Sequence, residues 1–388
     1  MGKQHFAGIY VPRIIYVYCN DAKKEAFVFH NEEEINIAGV HPDAVKPIFA
    51  SFTIYRVKDD AWEVIDTLDS ADYLSIMRID WVDSNDLWFF ADIYTAPYTD
   101  LWKVIRFDGS RLIMEYDGCN EQDSHFQDIN GDGYDEIIGT TCDYVVLSYH
   151  AADVTNVGKM ILQWDGTRFT EVKLEKLPDS APESLSELNN RAVVFAQADL
   201  WLDAASLISK ALKISEGPFH ETVKWNAILV NLNIEAKKDQ IIEDDDSGFG
   251  YATVMAQMFL GDYLAAVDVF RSYPVEAIFA DSANGKYTRP SELLAANGGG
   301  SQELTKKIFA LTDKSLALMD EDDAYREKRA AAYFLRAWAA YTVNPTDPRV
   351  MENLAKAHQL APDDTLYDES LNYLQRESRS FMEAHKLF

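Results

Sequence analysis

At residues 177–184, LPDSAPES, the spacing of apolar side chains changes, and no other feature of the chain limits its fold so sharply. Before that point short apolar and aromatic runs alternate with polar positions, as in TIYRVKDDAWEVIDTL at 53–68. After it apolar residues recur every three or four positions and alanine becomes frequent, as in RAVVFAQADLWLDAASLISKAL at 191–212 and KRAAAYFLRAWAAY at 328–341. A period of two suits a strand with one buried face, and a period near 3.6 suits a helix. The prolines and small polar residues at the switch are linker chemistry. The expected fold is therefore a two-domain α+β chain, all-β over residues 1–177 and all-α over residues 185–388. Its 388 residues are enough for two or three cores.

Within the first half, three segments share one layout: a strand with aromatics, a tight acidic turn and a second strand. They are 53–68, 102–116 and 159–174, with turns at Asp59, Asp108 and Asp165. Asp-Gly between alternating segments is a strong hairpin signal. The turns stand 49 and 57 residues apart, which predicts a degenerate repeat of propeller-blade length. Only about three such units fit before residue 177, fewer than the four blades at which closed propellers begin. The expectation is a propeller-like, incomplete domain, or a β-sandwich whose edges something else covers.

The segment QDINGDGYDEII, 127–138, carries the clearest chemistry. Asp128, Asn130 and Asp132 fall on alternate positions, Gly133 follows at the sixth place and Glu136 at the ninth. A Ca²⁺ ion takes about six to eight oxygen ligands, and a tight loop supplies them from side chains at its first, third and fifth places and a carbonyl at the seventh, here Tyr134. Gly133 lets the chain reverse at backbone angles that a side chain penalises. An EF-hand is excluded, because its twelfth place needs a bidentate Glu and this chain has Gly139 there, followed by strand-like sequence. The loop resembles the calcium loops of FG-GAP and VCBS repeats, the blades of integrin-like propellers. That resemblance implies Ca²⁺ held by Asp128, Asn130, Asp132, the Tyr134 carbonyl and the ninth-place carboxylate, and an ion whose role is structural. The ninth place is usually Asp; this chain has Asp135 at the eighth and Glu136 at the ninth, so either carboxylate is a candidate. A weaker echo at 78–93, with Asp80, Asp83, Asn85 and Asp86 but no turn glycine, reads as a blade without metal.

The helical half resembles tetratricopeptide repeats, helix pairs of about 34 residues with small residues where helices pack closely. Phe195, Trp201, Ala204, Ile208 and Ala211 carry the resemblance in one unit, Gly261, Tyr263, Ala266 and Phe270 in a second, and Phe334, Trp338, Tyr341, Leu354, Ala357 and Pro362 in a third. The stretches 243–250 and 281–301 read as solvated loops between them. Cys119 and Cys142 bracket the acidic loop, and a bridge between them is one expectation, two buried thiols the other.

Charge and missing motifs bound the function. Lys plus Arg number 36 against 64 Asp plus Glu, a net −28, with −16 on residues 1–177 and −12 on residues 178–388. Such a chain repels phosphate backbones and anionic lipids, so no nucleic-acid partner is expected. No apolar run is long enough for a transmembrane helix. There is no HExxH pair, no nucleophile-elbow serine and no phosphate-binding glycine loop, so no enzymatic activity is expected. The expected job is calcium-dependent binding of another protein or peptide, a basic one, as a scaffold or adaptor. The second expectation is an inhibitor or immunity-type protein that blocks a basic toxin or enzyme, and the third a hydrolase using carboxylates beside the metal. Loops of this type suit millimolar Ca²⁺, so a periplasmic or secreted location is expected, with the export signal absent from this chain.

Overall fold

The computed structural model describes residues 14–20, 25–30, 49–81, 87–94, 100–119, 125–145, 154–165, 168–239, 251–279, 300–319 and 322–385. The N-terminal half is built from antiparallel strands and the C-terminal half from helices. Two compact units result. One takes residues 1–141 and 160–171, the other 142–159 and 172–388, so the division cuts the strands that end at Val145, Trp164 and Val172.

Seven strands form one meander in chain order: β1 (Ile14–Asn20), β2 (Glu25–His30), β3 (Phe49–Lys58), β4 (Ala61–Trp81), β5 (Leu87–Tyr94), β6 (Asp100–Phe107) and β7 (Leu112–Cys119). β4 has 21 residues and two partners along its length. From Ala61 to Asp69, and after a register break again at Leu74, it pairs with β3, and from Tyr73 to Trp81 with β5. A second meander holds β8 (His125–Gln127), β9 (Glu136–Val145), β10 (Val154–Trp164) and β11 (Phe169–Val172).

Turn chemistry sets the hairpins. Asp59 and Asp60 both have positive φ, 52° and 60°, the left-handed pair that a two-residue turn of right-handed strands needs and that Asp tolerates better than most residues. The turns at Asp108 and Asp165 share the sequence Asp-Gly-(Ser/Thr)-Arg. In each the Asp Oδ1 accepts the Arg backbone N–H, at 3.0 Å from Arg111 and 2.9 Å from Arg168, and the guanidinium returns to the same carboxylate. Arg106 and Glu115 form an enclosed ion pair at 2.7 Å, their side chains 9% and 7% exposed, with the Arg106 guanidinium 5.1 Å from the Trp164 ring centre. The ladder between β6 and β7 skips Glu115, a bulge that turns its carboxylate towards Arg106. Val104, Tyr116, Ile137 and Leu162 form a small core against which Trp164 and Phe169 pack.

The other unit contains ten α-helices among the described residues: α1 (Glu183–Gln197), α2 (Trp201–Ile214), α3 (His220–Lys238), α4 (Tyr251–Leu260), α5 (Tyr263–Asp268), α6 (Val275–Ile278), α7 (Gly300–Met319), α8 (Arg326–Val343), α9 (Pro348–Leu360) and α10 (Thr365–His385). The stretch 243–250 and most of 281–301 lie outside the described residues, although α7 already begins at Gly300. Short turns join α1 to α2, α4 to α5 and α8 to α9. Asp262 caps α5 by accepting the Ala265 N–H, and Asp347 caps α9 by accepting the Arg349 N–H ahead of Pro348. Gly261, at φ 76°, ends α4 where an added Cβ would lie 2.6 Å from the Asp199 carbonyl oxygen and 2.7 Å from Leu200 Cα, so only glycine lets the two helix turns approach. Phe270 meets Phe334 and Trp338 edge-on at 5.3 and 5.0 Å, inside one continuous core. Arg271 forks onto both Asp364 oxygens at 3.0 and 2.6 Å, tying the turn after α5 to the start of α10.

Candidate metal-binding loop

The loop between β8 and β9 is wound around its own side chains. Asp128 Oδ1 accepts the N–H groups of Gly131 and Asp132, at 2.6 and 3.2 Å, and its Oδ2 accepts that of Gly133 at 3.0 Å. Asn130 Oδ1 accepts the Asp132 N–H, and Asp132 Oδ1 accepts the Tyr134 N–H. These are Asx turns in succession, made possible by short side chains at alternate positions. Gly131 and Gly133 provide the reversals, at φ 82° and 91°.

Glu136 ends the loop and starts β9. It is 1% exposed, with Oε2 accepting the Ile129 N–H at 2.9 Å. Its Oε1 and the Oδ2 of Asp132 both accept from the Asn130 amide nitrogen, each at 2.8 Å. The amide hydrogens are thus the positive pole on which two carboxylates converge. Burial pushes the Glu136 pKa up, and the neighbouring charges of Asp132 and Asp128 add to the rise. Asp135, the other ninth-place candidate, is exposed, so Glu136 is the carboxylate turned into the loop.

Of the residues that the sequence singles out, Asp128, Asn130, Asp132 and Glu136 are gathered into one hydrogen-bonded turn, while the Tyr134 side chain stands 61% exposed. The carboxylates are committed to N–H groups, and among the described residues no cluster of three or more His, Cys, Asp or Glu side chains stands ready to hold a metal. The donor set is nonetheless all hard oxygen once the Asn130 amide rotates to present Oδ1, and that suits Ca²⁺. Asp83, Asn85 and Asp86 of the weaker echo lie outside the described residues, and Asp80 falls in β4. Cys119 closes β7 and Cys142 lies in β9; their side chains are outside what the structure describes.

A contact that the sequence did not suggest steadies the strand after the loop. The Tyr116 hydroxyl donates to the Thr140 carbonyl at 2.9 Å and accepts the Thr140 N–H at 2.8 Å. Its ring lies over Gly139, where any Cβ would stand 2.5 Å from ring carbons. The twelfth loop place is glycine for this reason. An aromatic between two acidic residues on one strand, Glu115 and Asp117, and a glycine inside another were the only signals.

Concavities open among the described residues of the helical unit. One of about 670 Å³ is lined by Val275, Glu276, Glu369, Asn372, Tyr373 and Arg376. Another, of about 440 Å³, is lined by Asp203, Asp323, Tyr325, Arg326, Glu327 and Lys328. Asp199, at the α1–α2 turn, has its pKa raised by burial, against the pull of Lys237, Lys314 and Lys307. No protein-family model matches the sequence, and no curated protein matches it either. No helix among the described residues is long and apolar enough to cross a membrane.

Proposed function

We propose that the protein is a calcium-binding interaction protein of the periplasm or cell exterior, whose acidic helical unit receives a basic protein or peptide. The observation that carries the calcium reading is Glu136: a buried carboxylate aimed at a second carboxylate with only an amide between them. A divalent cation in that position would offset the burial that chiefly lifts the Glu136 pKa and the like-charge repulsion of Asp132 and Asp128 that adds to it. Asp128, Asn130, Asp132, the Tyr134 carbonyl and Glu136 would then supply oxygen ligands, and the ion would hold the start of β9.

The finer fold belongs to the same reading. The kinship with FG-GAP and VCBS blades is supported by strand order: β1–β3 with the first part of β4, the second part of β4 with β5–β7, and β8–β11 are each four-strand meanders. In each, the hairpin at Asp59, Asp108 or Asp165 joins the third strand to the fourth. The tetratricopeptide likeness is supported by the pairs α1/α2, α4/α5 and α8/α9, with Phe195, Ala204, Ala266 and Ala357 buried. Each of these concavities carries one carboxylate more than it has cations, two against Arg376 in the first and three against Arg326 and Lys328 in the second, a small negative excess that suits a cationic ligand.

Titration calorimetry on the chelator-stripped full chain tests the calcium half: one site and a raised melting temperature are expected, and neither with Asp128→Ala. Equal melting of both proteins with and without calcium overturns it. Capture from native extract tests the rest; many basic ligands released by salt fit a scaffold, and one tight partner fits an inhibitor.

A further inference from the structure

The β8–β11 sheet has long inner strands and short outer ones. β10 has 11 residues and β11 has 4, so β11 covers only part of the edge it pairs with. The hairpin is closed by the Asp165 N–H donating to the Arg168 carbonyl at 3.0 Å. In an antiparallel ladder alternate residues face the same neighbour, so residues 163 and 161 also address β11. Residues 159 and 157 face the same way, beyond the reach of β11. An unpaired edge there would be a template for another strand.

A helix takes the place of the missing strand. Asn233 of α3 accepts the Lys159 N–H at 3.0 Å and donates to the Lys159 carbonyl at 3.0 Å. One turn on, the Lys237 ammonium donates to the Val157 carbonyl at 2.8 Å and to Asn156 Oδ1 at 2.7 Å. A carboxamide has the donor and acceptor of a peptide group, so Asn233 offers Lys159 the pair a neighbouring strand would offer. Its amide also donates to the Leu229 carbonyl at 2.9 Å, which fixes its orientation on the helix. Asn233 and Lys237 are 6% and 3% exposed, and burying an amide and an ammonium is costly unless they are hydrogen-bonded.

We propose that Asn233 and Lys237 form an edge guard that keeps residues 156–159 of β10 from accepting an added strand. The strand they exclude is the same edge of a second copy of this chain. That edge is self-complementary, with a donor and acceptor at residue 159 and an acceptor at 157, so two copies can pair antiparallel about a two-fold axis. Opening the edge converts the protein into a strand-paired dimer. Each copy carries −28, so the dimer forms more readily as salt screens the repulsion.

The test uses the full chain and two single variants, N233L and K237M, with mass measured by light scattering over a hundred-fold range of concentration. Wild type should show no concentration dependence of its own beyond its starting mass. N233L should double in mass as concentration rises, more so in higher salt, while keeping its helical circular dichroism. K237M, which removes the cap on residue 157 alone, should do so more weakly. The Lys159 amide should exchange faster in dilute N233L than in wild type and slow again on association. Adding Lys159→Pro to N233L removes the edge donor and should restore the wild-type mass; association that persists in the double variant runs through another surface and overturns the proposal. Folded variants that keep the wild-type mass throughout overturn it as well. Should N233L fail to fold, K237M decides on the same two outcomes.

Discussion

Glu136 ties stability to pH in a way that can be measured without any ligand. Its pKa in the folded chain is raised by burial and by Asp132 and Asp128, so the native state holds its proton to higher pH than the unfolded state does. Between the ordinary carboxylate pKa and the raised one, stability must fall as pH rises, because there the native state binds more protons. In calcium-free buffer, denaturant midpoints of wild type should show this decline, and Glu136→Gln should lack it and be the more stable protein above that window. Identical pH profiles would show that the charge costs nothing. Calcium, if it binds as proposed, reverses the ranking, since the substituted amide brings no charge to the ion. Arg106 is a case of the opposite sign: replacing it with Met strands the enclosed Glu115 carboxylate, and removal of one partner from such a pair costs about 3–5 kcal/mol. Chemical denaturation should record a loss on that order, and a loss below about 1 kcal/mol would mean that Glu115 finds water.

Two glycines fix how elements approach one another. Gly139→Ala forces the Tyr116 ring off its seat and with it both hydrogen bonds to Thr140, so a loss of about 1–3 kcal/mol is expected from overpacking alone. Tyr116→Phe separates the parts: it keeps the ring over Gly139, loses the hydroxyl, and leaves the buried Thr140 groups without that partner, at about 1–3 kcal/mol. Gly261→Ala adds a backbone penalty of about 1–2 kcal/mol to its contact with the α1–α2 turn, and thermal melting should show the whole helical unit shifted. The hairpins at Asp59, Asp108 and Asp165 were legible in the sequence because turn chemistry is local: two residues with positive φ, or one Asp reaching three residues on, settle it. The helix pairs were legible through periodicity. β4 was not, because a strand that changes partner midway has the same alternation as two strands. Nor were the buried Asn189, Asn226 and Asn233 and the half-buried Asn190, since an asparagine whose partner is main chain leaves no second residue to notice.

For the whole molecule the governing quantity is the net −28 on 388 residues. Like charges repel across the folded surface, so melting temperature should climb as sodium chloride is raised from about 0.01 to 0.15 M, where the screening length shortens from about 30 to 8 Å. A flat response would mean that exposed pairs such as Arg191 with Asp322 and Lys306 with Glu303 already balance the field locally. The same salt should weaken capture of a basic partner, so stability and binding ought to move in opposite directions along one titration. The asparagines of α1 and α3 leave a different mark. Asn226 grips the N–H and carbonyl of Glu175, and Asn190 those of Leu177, without touching either side chain through these bonds. What is gripped is common to every amino acid except proline, whereas the grip needs one particular amide. Position 175, whose side chain is exposed, is therefore free to drift over generations while position 226 is frozen, and a library of random variants should return many survivors at the first and almost none at the second.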